Sequence, residues 1–374
     1  MKKRLLAGLL LCTMLCTACG QTAENTPTSD SVKEETKPTA EETAIDRQIQ
    51  NMSLAEKVGQ LFWVRCPAQD GAQAAADYQF GGYVLFARDF EGQTPESVSE
   101  NIQAYQEQAK IPMLIGVDEE GGTVNRISRY PAFRDEPFAS PRKLYQQGGW
   151  DAIRQDTQEK CQLLSGLGVN VNLAPVCDVC DDPSGFLYPR SFGGDGKETA
   201  KYVQMVVTEM QGSGVAPVLK HFPGYGNNGD THTEIIRDDR SYETYQNSDF
   251  LPFEAGIKAG AGCILVSHTI VSCMDAQRPA SLSADVHQIL REELGFSGVI
   301  MTDDLSMGAI TQYCDGQEAA VQAVLADNDL LCCTDYETQI PAVIQAVQDG
   351  VISESRIEES VKRILQWKQD MGIL

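Results

Sequence analysis

Basic side chains are scarce in this chain: 30 Lys and Arg stand against 53 Asp and Glu, for a net charge of −23. That balance excludes nucleic acid and anionic lipid surfaces as partners, since both repel an acidic protein. Removal of Lys2, Lys3 and Arg4 with a leader would make it more acidic still. No apolar run is long enough to cross a membrane as a permanent helix. The longest, Leu5 to Leu15, has the length and flanks of an export signal. Cys177-x-x-Cys180 has no second pair at zinc-like spacing, which argues against a structural metal site. The 12 cysteines are not needed as staples in a domain of this size. Cys263, Cys332 and Cys333 sit inside apolar runs, where a thiol behaves as a small hydrophobe. Large apolar residues are almost absent between Gln21 and Arg47, so this stretch cannot offset its ordering entropy and reads as a disordered tether.

What is present begins with Cys16-Thr17-Ala18-Cys19-Gly20. Small residues before Cys19 resemble a bacterial lipoprotein signal, which makes Cys19 the candidate lipidated N-terminus. Cys16, where a leucine is usual, leaves simple cleavage and secretion open. The expected division is a signal peptide over 1–18, a lipid-anchored linker over 19–47 and a folded domain over 48–374, held on the outer face of the cell membrane. Eight short apolar runs punctuate that domain: Leu61–Val64, Tyr83–Phe86, Met113–Val117, Val169–Leu173, Pro217–Lys220, Cys263–Val266, Val299–Thr302 and Asp329–Cys333. They are apolar nearly throughout and do not alternate, the pattern of parallel strands buried on both faces. An α/β fold, a single (β/α)8 barrel with irregular loops, is the simplest closure, and a doubly wound open sheet is the alternative. Ser53-Leu54-Ala55-Glu56 has the capping-box pattern of a helix start, and a last helix is expected from Ser353.

Active sites of such barrels lie at the C-terminal ends of the strands. Ionisable residues follow many of the runs: Asp118, Asp178, Lys220 and His221, His268, then Asp303 and Asp304. Any one of them could cap a helix, Asp304 above all. Their joint occurrence points to one chemical face. After Lys220-His221-Phe222-Pro223 a glycine-rich loop, able to move or to bend tightly, delivers Asp230-Thr231-His232. A carboxylate two residues from an imidazole can orient the ring and support its cation, as acid–base chemistry requires. Equally, the same three residues could form a plain turn.

Val117-Asp118-Glu119-Glu120-Gly121-Gly122, Asn172-Leu173-Ala174-Pro175-Val176-Cys177-Asp178, Arg190-Ser191-Phe192-Gly193, the Lys220–His232 run and Thr302-Asp303-Asp304-Leu305-Ser306-Met307 occur in the order that resembles bacterial family 3 glycoside hydrolases. Asp230-Thr231-His232 is similar to the Asp-Ser-His signature of the β-N-acetylglucosaminidase branch. The resemblance implies a retaining enzyme with Asp303 as nucleophile, His232 as general acid–base held by Asp230, and Asp118, Arg126, Arg190, Lys220 and His221 on the terminal sugar, with Asp178 in support. It implies no metal or organic cofactor, a β-N-acetylglucosaminide oligosaccharide as substrate, and a monomer that meets the membrane only through its anchor. A β-glucosidase, a phosphorylase and a non-catalytic sugar-binding lipoprotein are the alternatives. Three departures stand out. Thr123 replaces a frequent arginine, Tyr225 replaces a common histidine, and the loop from Gly226 to Asp230 is about one residue short.

Overall fold

The computed structural model describes residues 43–374. The expected signal peptide, Cys19 and nearly all of the tether lie outside the described residues. Folded structure starts before residue 48, because Ala44–Gln50 is already a helix. Thr43 and Asp46 form a reciprocal capping box, Ile45 and Ile49 are buried, and Asp46 pairs with Lys362 of the last helix at 2.7 Å. Residues 44–47 therefore belong to the domain and not to the linker. Nothing in their composition announces this except the two isoleucines and the cap.

Eight parallel strands form the centre: β1 (Phe62–Arg65), β2 (Gly82–Leu85), β3 (Leu114–Val117), β4 (Val171–Asn172), β5 (Ala216–Phe222), β6 (Cys263–Val266), β7 (Val299–Thr302) and β8 (Leu331–Cys333). Each pairs with its neighbour in chain order, and β8 pairs back onto β1 through Phe62–Leu331, Trp63–Cys332 and Val64–Cys333. The last gap is closed by a Met301–Leu330 bridge, with Thr302 N donating to Leu330 O at 3.0 Å. The sheet is thus a barrel and not an open doubly wound sheet. All eight apolar runs contain a strand, though the ends differ. The run at Asp329 starts too early, because the buried Asp329 carboxylate accepts from Ile300 N and is held by Arg291 and Arg363.

Trp63, Val84, Leu114, Val218, Leu265, Val299 and Met301 fill the barrel interior, and Trp367 of the last helix closes its lower end. Gly116 is required by this packing: a Cβ there would sit 2.1 Å from the Trp63 ring. A second core lies between the strands and the surrounding helices. Ser53 caps helix Leu54–Gln60 with Glu56 as its reciprocal partner, and Ser353 caps helix Glu354–Asp370, as expected. The long interval between β3 and β4 holds a short hairpin, Glu119–Gly121 with Val124–Asn125, and the helix Pro141–Leu167 broken at Gly149. The nine cysteines among the described residues are free thiols; burial pushes Cys263, Cys332 and Cys333 well above the usual thiol range.

Candidate active site

A cavity of about 870 Å³ opens at the C-terminal ends of the strands. Asp118, Arg126, Arg190, Lys220, His221, Asp230, His232 and Asp303 all line it. Five separate stretches of sequence meet there because each follows a strand of the same barrel or the loop after it.

The deep wall is a charge network. Lys220 Nζ lies 2.6 Å from Asp118 Oδ1 and 2.5 Å from Glu120 Oε1. Glu120 also grips Arg190 with both oxygens, at 2.9 Å to Nε and 2.7 Å to Nη2. Burial alone would raise the Glu120 carboxyl, but Arg190 and Lys220 outweigh it and hold the group far below the carboxylate range. For Lys220, burial pulls the ammonium down, and Asp118 and Glu120 more than restore it. Both groups are therefore ionised, and Glu120, Arg190 and Lys220 are held in position before any ligand arrives. Asp178 is wholly buried and does not line the cavity; its Oδ2 accepts from His221 Nδ1 at 2.7 Å and from His221 N, and its Oδ1 from Tyr225 N. A carboxylate only accepts, so the His221 proton sits on Nδ1. Its Nε2 faces Arg190 Nη2 at 3.3 Å.

Asp303 follows β7. Burial raises its pKa, and His268, His221 and His232 together more than reverse that, so the carboxyl lies below its ordinary value and is ionised. His268 stands behind it, buried, with Nδ1 on Ser281 Oγ at 2.7 Å and Nε2 donating to the Asp304 carbonyl at 3.0 Å. Burial lowers the pKa of that imidazole below the ordinary histidine value, and it positions the turn without reaching the cavity. Asp304 closes that turn by accepting from Ser306 N at 2.9 Å. It does not cap the next helix, Gly308–Thr311, whose N-cap is Met307.

The Asp230–His232 loop is well anchored. Asp230 Oδ1 accepts from His232 Nδ1 at 2.6 Å and from His232 N at 2.9 Å. The pair leaves Nε2 free for proton exchange. Thr231 between them is buried and hydrogen-bonded to the Tyr225 hydroxyl. On the other side, Gly308 N donates to His232 O at 3.0 Å and Ala309 N to Thr231 O at 3.1 Å. The loop is docked on the segment that follows Asp303. Its glycines answer contact more than motion: at Gly224 (φ 123°) a Cβ would lie 2.5 Å from Asp249, and at Gly226 (φ 56°) 2.6 Å from Arg240. Arg240 itself bridges Asp238 and Asp249 and donates to Gly224 O at 3.0 Å.

Sequence reasoning missed three residues. Glu120 was quoted only as part of a motif. Glu119, fully buried, accepts from Arg126 N and Ile127 N at 2.8 Å each and so shapes the turn that presents Arg126. Arg65, at the end of β1, also lines the cavity. For Arg65 the signal was available, since a charged residue ends an apolar run.

A closed parallel barrel whose C-terminal mouth holds a fixed charge network, an ionised carboxylate and a carboxylate-bound imidazole has the layout of a barrel enzyme acting on a polar substrate. Residues 53–367 match the family model described as the glycosyl hydrolase family 3 N-terminal domain, and the chain belongs to that family. It is 31% identical over 304 residues to a β-hexosaminidase of Nitrosomonas eutropha, covering 76% of this chain and 84% of the relative. A β-hexosaminidase of Idiomarina loihiensis is 33% identical over 315 residues, covering 77% and 90%. Among solved structures, a family 3 β-N-acetylglucosaminidase from Paenibacillus sp. str. FPU-7 superposes with a TM-score of 0.80 at 31% identity, over 86% of this chain and 63% of that one.

Proposed function

We propose that the chain is an exo-acting, retaining β-N-acetylglucosaminidase. The observation that carries this reading is the Asp230-held His232, 2.6 Å from its carboxylate, lining one cavity with the ionised Asp303. The names of the relatives support the branch.

Asp118, Arg126, Arg190, Lys220 and His221 hold the hydroxyls of a terminal N-acetylglucosamine. An Asp303 carboxylate oxygen bonds to the anomeric carbon while the bond to the leaving oxygen breaks. The protonated His232 gives its Nε2 proton to that oxygen, and Asp230 supports the imidazolium. The neutral imidazole then takes a proton from water, whose oxygen displaces Asp303 from the anomeric carbon. Two displacements restore the β configuration. Histidine thus fills the place of the second carboxyl group of most retaining glycosidases. An imidazole can both donate and accept a proton, so one side chain can serve both displacements.

In this reading the substrates are β-linked N-acetylglucosamine termini of peptidoglycan fragments or chitin oligomers. Cys19 carries lipid and holds a monomeric enzyme at the outer membrane face. The test is release of p-nitrophenol from the β-N-acetylglucosaminide, β-glucoside and β-xyloside, each with and without phosphate. Turnover confined to the first, and unchanged by phosphate, is expected. Acceleration by phosphate would make the enzyme a phosphorylase, and no turnover would make it a binder. A 2-fluorinated substrate should leave its adduct on Asp303, and an adduct elsewhere would overturn the assignment.

A further inference from the structure

The loop that carries Asp230 and His232 is fixed at two ends, and only its far end rests on the segment after Asp303. Its near end, Gly224 to Asn228, rests on Arg240. Nη2 of that guanidinium donates to Gly224 O at 3.0 Å. The backbone at Gly226 lies so close that a Cβ there would stand 2.6 Å from Arg240 Cζ. Asn228 is tied to the same group through Asp238. Its Nδ2 donates to Asp238 Oδ2 at 2.6 Å and to Tyr225 O at 2.8 Å, while Asp238 accepts from Arg240 Nε at 3.1 and 2.9 Å. Nη1 of Arg240 meets both oxygens of Asp249 at 3.0 Å.

The guanidinium is itself held. Asp238 and Asp249 are each 1% exposed, and among the described residues Arg240 is the only cation paired with either. The Tyr245 ring lies against it, with Cζ 4.5 Å from the ring centroid, and the Tyr245 hydroxyl donates to Asp238 Oδ2 at 2.7 Å. Asp238 belongs to the short strand Arg237–Asp238, paired with Ile270–Val271 beyond β6. Asp249 leads into the helix Phe250–Lys258, which precedes β6. The clamp is thus built on elements from both sides of that strand. A point charge could answer one carboxylate; a planar fork of donors serves two carboxylates and a carbonyl at once.

We infer that Arg240 is a positioning residue for the acid–base half of the reaction: it fixes the start of the loop so that the Asp230-held His232 meets the leaving oxygen. The inference rests on the glycosidase reading above and adds a residue to it. Arg240 does not line the cavity, so it acts through the loop. Only Gly229 and Asp230 lie between Asn228, tied to the clamp, and Thr231, seated on Ala309. With both ends held, the carboxylate that orients His232 has little freedom. Releasing the near end lets Asp230 and His232 shift together, their mutual hydrogen bond at 2.6 Å intact, and out of register with the substrate. A misplacement of about 1 Å can cost about 10²-fold in rate.

The test measures kcat/KM for a β-N-acetylglucosaminyl disaccharide and for an activated aryl β-N-acetylglucosaminide in the unaltered enzyme, Arg240→Lys, His232→Ala and the double variant. Arg240→Lys should lose about 10- to 100-fold on the disaccharide and only about 2- to 3-fold on the aryl glycoside, whose leaving group departs without a proton. Added to His232→Ala, the same substitution should cost little on either substrate, because the group it positions is already gone. Equal losses on both substrates, or a full further loss in the His232→Ala background, would show that Arg240 supports the fold or the sugar site at large and would overturn the inference. Unchanged kcat/KM in Arg240→Lys overturns it as well. Should Arg240→Lys not fold, Asn228→Ala decides. It removes one bond from a half-buried side chain and leaves Arg240 with its two carboxylates. It should show the same pattern at about 3- to 10-fold on the disaccharide, and equal or absent losses there also overturn the inference. An unaltered enzyme that turns over neither substrate would instead defeat the glycosidase reading itself.

Discussion

Two lysines are buried between the last helix and the one before β1, and they meet opposite fates. Lys57 finds Glu354 and Glu358 at 2.8 and 2.5 Å, and those partners overcome its burial and raise its pKa. Lys368 is fully buried with, among the described residues, a single neutral partner, Gln60 Oε1 at 2.8 Å, and burial lowers it from 10.5 to about 7. Its folded value lies below its unfolded value, so between pH 7 and 10.5 the unfolded chain binds the extra proton. Stability must therefore rise with pH across that window, and below about pH 7 the full penalty applies. Each unit of pKa difference is about 1.4 kcal/mol, so moving from pH 6.5 to 8.5 should recover about 2 kcal/mol. Lys368→Met removes the titration. It also strands Gln60 Oε1, at a cost of about 1–3 kcal/mol that does not depend on pH. Urea unfolding of both proteins at pH 6.5, 7.5 and 8.5 measures the effect as the change in their stability difference. Buried thiols such as Cys177 and Cys263, whose pKa values burial raises, act oppositely at high pH but equally in both proteins, and they cancel. A stability difference that stays flat across this range would refute the reasoning.

Three other outcomes are expected. His232→Ala should damage hydrolysis of a disaccharide far more than that of an activated aryl glycoside, since general acid catalysis gives about 10²–10⁴-fold only where the leaving group needs a proton; Asp230→Asn should show the same pattern more weakly. Equal fractional losses on both substrates would remove the pair from the reaction. Tyr225→Phe and Thr231→Val should each steepen that leaving-group dependence, with the double variant little worse than either, because both cut one buried hydrogen bond; Thr231→Ser should keep wild-type behaviour, and additive losses would show the two act separately. In a bacterium that processes lipoproteins the protein should partition into detergent, and Cys19→Ala should release it or block its processing; equal partitioning would favour simple secretion.

The barrel was legible because strands buried on both faces must be apolar along their whole length, and a closed parallel sheet supplies eight such runs. Their ends were less legible. Asp329 joins its run in sequence but serves as a buried carboxylate, and His221 lies inside β5 although it is polar. Those strand-end residues that became site candidates do gather, since one barrel face collects them. Glu119 and Glu120 stayed hidden for a physical reason: two adjacent acids read as solvated charges until Arg190 and Lys220 arrive at Glu120 from 70 and 100 residues onward and the turn at Arg126 and Ile127 folds back on Glu119. The loop glycines were read as softness, whereas the nearness of Asp249 and Arg240 explains two of them. That nearness is tertiary, and no local pattern encodes it.

Gly308 opens the short helix beyond Asp303, and its lack of a side chain serves a segment 76 residues earlier. A Cβ there would come within 2.8 Å of the His232 carbonyl and 2.9 Å of the Thr233 carbonyl. The stretch that follows Asp303 is thus the seat on which the stretch bearing His232 is cast. Transplanting the loop from a related barrel, or lengthening it by the residue it lacks, becomes a two-piece operation: the graft succeeds only with a matching surface at 308 and 309, and a donor loop of identical sequence placed on any bulkier seat would arrive out of register with the carboxylate it must face.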